Sequence, residues 1–177
     1  MKISEKLSQF TDTHAFLVVA GMHAGAIYHA HDGEVEKRES FEVSVPKYSD
    51  REGFYARGGK GGTYVSGAVK EVDKEEIQKQ FIKDMAARLV KEINQYPKKS
   101  RIYLYLYAPQ EILPHLRTAL PNEVRRFVRD TFEGNHIHAQ PPVLIGMLKK
   151  KNEDGVESLR TALAKPEAKK LLRKNTK

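Results

Sequence analysis

Ile102-Tyr103-Leu104-Tyr105-Leu106-Tyr107 is the most strand-like run in this chain of 177 residues. Aromatic and aliphatic residues alternate without a single charge, which predicts a strand inside a sheet rather than at its edge. Parity puts Leu104 and Leu106 on one face and the three tyrosines on the other, and the leucine face is expected to be the dry one. Pro97-Lys98-Lys99-Ser100 separates the run from a long helical pattern before it. The chain must therefore cross back onto a sheet already laid down.

That earlier sheet is legible upstream. Phe16–Ala20 reads as a buried strand, and Ala26–His31 follows after the Gly21–Gly25 turn as its hairpin partner. Asp32-Gly33 is a two-residue turn signal, and Val35 to Val45, with Phe41, Val43 and Val45 alternating against Glu42 and Ser44, makes a third antiparallel strand ended by Pro46. Lys47 to Val72 is longer than an ordinary connection. Asp73 can then cap a helix, with Glu76 three residues on, and Ile77, Phe81, Ile82, Met85, Leu89, Val90 and Ile93 run along one face to about Gln95.

Beyond the central strand, Pro109 to Leu120 predicts a short helix with Pro114 in its first turn or kinking it. Val124 to Phe132 reads as a helical start leading into a strand through Phe127, Val128 and Phe132, and Pro141-Pro142 opens a last helix. The order β-β-β-α-β-α-β-α predicts an α/β fold: a ribonuclease H-like mixed sheet with helices on its faces.

Composition narrows the function classes. The chain has no cysteine, which excludes disulfides and thiolate metal sites and suits a reducing, cytoplasmic setting. The start of the chain mixes Glu5 with Lys2 and Lys6, and no apolar run is long enough for a bilayer, so neither export nor membrane insertion is expected. The net charge of +8 is uneven: from Lys149 to Lys177 there are ten Lys/Arg against four Asp/Glu. The chain divides into a domain over 1–150 and a basic, flexible or helical tail over 151–177, able to act as an electrostatic arm for a polyanion such as RNA.

Arg57-Gly58-Gly59-Lys60-Gly61-Gly62-Thr63 is the segment in which function is expected first. Its glycines can adopt φ > 0 and bare their backbone N–H groups, a design suited to close approach to phosphate. The nucleotide-binding GxxxxGK[ST] spacing is absent, so no P-loop is expected. Nuclease chemistry of the ribonuclease H type needs clustered carboxylates on the strands, and Phe16 to Met22 carries none. His29/His31 and His136/His138 have i, i+2 spacing that could begin a metal site, but no third ligand is set by spacing, and hydrogen-bonded or exposed histidines are the plainer expectation. No cofactor, metal or catalytic nucleophile is expected.

Several segments in fixed order carry a family likeness. They are Phe16–His31, Tyr48-Ser49-Asp50-Arg51-Glu52-Gly53 and the Arg57–Lys60 loop before a long helix, then Leu104–Pro109, Leu113–Arg117, Leu120–Arg126 and Gly134–His138. Over roughly residues 14–150 the chain resembles the middle domain of archaeal and eukaryotic peptide chain release factors, and more closely the small bacterial host attachment proteins. The resemblance implies that Gly58 and Gly59 match the glycines of the release factors' Gly-Gly-Gln tip. Lys60 stands where that tip has glutamine, and an ammonium has no carbonyl acceptor with which to position water. The expected function is thus a noncatalytic factor binding the ribosome or RNA (rRNA or tRNA) through Arg57, Gly58, Gly59 and Lys60, with Tyr55 and Tyr64 available for stacking. A peptidyl-tRNA hydrolase and a protein-interaction module of the host-attachment type are the alternatives.

Overall fold

The computed structural model describes residues 1–43, 74–97 and 99–164. Five strands form one mixed sheet in the order β3-β2-β1-β4-β5. They are β1 (His14–Ala20), β2 (Ala24–His31), β3 (Glu34–Glu42), β4 (Ile102–Ala108) and β5 (Val128–Glu133). β1 pairs antiparallel with β2 and β2 with β3, whereas β4 runs parallel to β1 and β5 parallel to β4. The hairpin between β2 and β3 turns on Asp32 and Gly33, both at positive φ (44° and 78°), the primed turn geometry that an Asp-Gly pair favours.

Helices cover both faces. On one, α1 (Lys74–Ile93) and α2 (Leu113–Ala119) pack on Phe16, Val18, Ile27, Leu104 and Leu106. Phe81, Ile82, Met85, Ala86, Leu89 and Ile93 recur every three to four residues, so a single stripe of α1 is buried. Each of the fully buried Met85 and Leu89 side chains contributes about 1.5–3 kcal/mol over exposure. Pro114 lies in the first turn of α2, where its missing N–H costs no helical bond. After α3 (Asn122–Arg125), a single turn, the chain enters β5.

The other face is buried too, which corrects the expectation of a wetter tyrosine side for β4. α4 (Pro141–Ala164) lays Leu144, Ile145 and Leu148 over Tyr105, Tyr107 and Phe132. Tyr107 is wholly inaccessible and Tyr105 is 8% exposed. The Tyr107 hydroxyl donates to the Leu144 carbonyl at 2.9 Å, the partner a buried phenol requires. Burial raises the Tyr105 pKa to about 12 and moves Tyr107 in the same direction. Only Tyr103 is half-exposed.

Two further differences from the sequence reading concern ends. β3 stops at Glu42, and Val43, which packs on the α1 face of the core, is outside the strand. α4 runs without interruption across position 150 to Ala164. The Lys47–Val72 excursion and the last thirteen residues of the tail lie outside the described residues.

Candidate functional site

Arg57, Gly58, Gly59, Lys60, Tyr55 and Tyr64 all lie outside the described residues, so the geometry available is that of their two attachment points. Both border the β1–β2 turn. The Val43 amide donates to the His23 carbonyl at 2.7 Å, and Gln78 in the second turn of α1 reaches Met22 with Nε2 at 3.8 Å from sulfur. The segment between β3 and α1 therefore leaves and returns at the end of the sheet where β1 finishes.

A cluster of histidines lies at the opposite end. His29 and His31 share a face of β2, as i, i+2 spacing requires, and His14 from β1 lies between them. Its ring is 4.1 Å from that of His31 and 5.3 Å from that of His29, stacked against both. Tyr96, just past α1, packs on His14 at 4.3 Å. Sequence spacing could not find His14, since only the pairing of β1 with β2 brings it across from His31.

Hydrogen bonds give the cluster a direction. Arg38 can only donate, so the Tyr96 hydroxyl accepts from it at 3.1 Å and has its own proton for His29 Nδ1 at 3.5 Å. His29 is then assigned its proton on Nε2 and donates to His14 Nδ1 at 3.1 Å. His31 Nδ1 donates to the Thr13 carbonyl at 3.0 Å, and its Nε2 is 3.2 Å from the Asp32 carboxylate. Burial, followed by the Arg38 charge, pushes the His29 pKa down to about 4. The Glu36 carboxylate, 3.6 Å from His29, does not reverse this, because it is held by Arg38 at 2.7 Å. His14 is lowered as well, by burial and then by His31.

The other histidine pair is a correction. His136 and His138 fall in the turn after β5, so strand parity does not apply to them. His136 packs edge-on against Tyr107 with its Nε2 3.3 Å from the Glu133 carbonyl, while His138 is exposed. Among the described residues, no three His, Asp or Glu side chains are arranged to hold a metal ion. No helix among them is long and apolar enough to cross a membrane.

A third feature is an open groove of about 630 Å³ between α1 and α2, floored by Ile82, Ala86, Ala87, Val90 and Ala119. Lys79, Lys83 and His115 stand at its rim.

A family model described as "Protein required for attachment to host cells" matches residues 32–148. The chain belongs to this family. The match begins in the β2–β3 turn and ends in α4, so it includes the glycine-rich segment and all of the sheet except β1 and β2. No curated protein matches the chain. Among solved structures, an archaeal translation termination factor is similar at 10% identity and a TM-score of 0.48, covering 85% of this chain and 42% of that one. A second, described as an archaeal protein, is similar at 10% identity and a TM-score of 0.47, covering 86% and 41%. The chain thus spans about two fifths of the length of these structures.

Proposed function

We propose that this member of the host-attachment family is a noncatalytic factor that binds the ribosome or RNA through its basic glycine-rich segment, and that its sheet is of the ribonuclease H-like type. The observation that carries the reading is the pairing of Arg57 and Lys60 with Gly58 and Gly59 in an insertion attached at both ends to one end of a rigid sheet. Cations flanking backbone without side chains suit phosphate, and a carboxamide is missing where release chemistry would require one. The sheet type is supported by three antiparallel strands followed by two strands parallel to the first. A cytoplasmic setting is in keeping with a chain that has no cysteine.

The test is co-sedimentation with ribosomes at low and high salt, for the parent and for Arg57→Ala with Lys60→Ala. Salt-sensitive binding by the parent and its loss in the double variant is expected. Equal binding by the two proteins removes the segment from the function.

The α1–α2 groove favours a second reading, a protein-interaction module. Its apolar floor and cationic rim suit an acidic amphipathic helix. Under that reading Ala87→Glu abolishes partner capture and leaves ribosome co-sedimentation unchanged.

A further inference from the structure

Each edge of the sheet contains one β-bulge, and in each the unpaired residue is an arginine. Between β2 and β3 the register passes from Ile27↔Glu39 to Tyr28↔Lys37, leaving out Arg38. Between β4 and β5 it passes from Leu104↔Val128 to Tyr105↔Asp130, leaving out Arg129. A bulge re-aims the side chain it carries. Arg38 is turned toward Glu36, Tyr96 and Glu92, all within the protein. Arg129 is turned onto the face of Tyr103, with its guanidinium carbon 5.4 Å from the ring centroid, and it remains exposed.

A second such pair lies at the same end of the sheet on its other face, since Tyr103 packs against the α4 layer and Phe127 against the α1–α2 layer. Arg126, also exposed, lies over Phe127 at 5.0 Å. Because Leu104 faces Val128 in parallel register, the residues leading into β4 and β5 share one end of the sheet, which brings exposed Arg101 to the same corner. Among the described residues, Arg101, Arg126 and Arg129 have no carboxylate partner. The nearby acid Asp130 is already bound by Lys151 at 2.7 Å, and Asp32 is on the far side of β1 against His31.

We propose that this corner is a contact surface for single-stranded RNA. A guanidinium held over an aromatic ring offers a planar cation on which a base can stack, and its N–H groups remain donors for phosphate. An acidic protein would use the charge but not the paired rings, and the bulge interrupts the β5 edge that an added strand would need. The inference takes its class of partner from the RNA-binding reading and is independent of the glycine-rich segment, which is attached at the opposite end of the sheet beside β3.

The experiment measures binding of a labelled oligouridine across a salt series, with urea midpoints as the folding control. Arg101→Ala, Arg126→Ala and Arg129→Ala together should leave the midpoint unchanged, weaken binding about 10-fold or more at low salt, and reduce the log–log salt slope by about 2, near 0.7 for each lost phosphate contact. Arg126→Lys with Arg129→Lys keeps the charge, so it should retain the slope and still lose affinity. Parent-like binding by the triple variant, or competition by polyglutamate as effective as by unlabelled RNA, overturns the inference. Loss in the Arg57/Lys60 variant alone would leave the proposed function standing without this corner. A parent that binds no oligouridine overturns the corner, whereas the proposed function is decided by ribosome co-sedimentation.

Discussion

The ring of His14 lies 4.1 Å from that of His31 with their planes 21° apart, and the same ring is hydrogen-bonded to His29 at 3.1 Å. Three imidazoles stacked so closely, with Arg38 beside them, tolerate added protons poorly. His29 holds its folded-state pKa near 4, against an ordinary value of 6.5, and His14 is lowered too. Between those values the unfolded chain binds more protons than the folded one. Stability is therefore full above about pH 6.5 and falls as pH drops toward 4, by about 2–3 kcal/mol for His29 alone. Urea midpoints measured from pH 7.5 to 4 should show this decline, and His29→Gln should flatten it. A midpoint that holds steady through that interval means the stack is not neutral.

Leu104 is fully buried in an interior strand with α1 and α2 above it, so Leu104→Ala should destabilise by about 2–5 kcal/mol. Tyr107→Phe removes only the hydroxyl that donates to Leu144, and the orphaned carbonyl retains its helical environment. The cost should be about 0.5–1.5 kcal/mol. Chemical denaturation ranks the two, and the reverse order would mean that α4 is not seated on β4.

Lys60→Gln completes the Gly-Gly-Gln triplet that the resemblance to release factors implies. Released peptide from a stalled ribosome complex would show that the scaffold reaches the catalytic centre and lacks only the carboxamide. Under the noncatalytic reading, neither the parent nor this variant releases peptide.

Residues 165–177 carry six Lys/Arg against one Glu. Removing them should flatten the salt dependence of polyanion binding and leave the urea midpoint unchanged. Truncation at 150 should behave differently. Lys151 binds Asp130 and sits over the Phe132 ring at 4.8 Å, so the longer deletion also lowers stability. Equal midpoints for the two truncations would show that this contact adds nothing.

Local sequence determined the element order because its signals are local. The period of Phe81–Ile93, the charge-free Ile102–Tyr107 run, the Asp32-Gly33 turn and the prolines at 97, 109, 114, 121, 141 and 142 each act within a few residues. The family likeness was legible for the same reason, in a succession of short segments of which all but the first, Phe16–His31, fall within the match over 32–148. Tertiary structure decided what depends on register and layering. Leu104 and Tyr107 belong to opposite faces, and only the packing of α4 buries Tyr105 and Tyr107 as well as the leucines. His14 meets His31, and Arg129 meets Tyr103, because strands distant in sequence pair at one particular offset. A one-residue shift in either pairing would turn those side chains to the other face, and no short-range pattern encodes that offset.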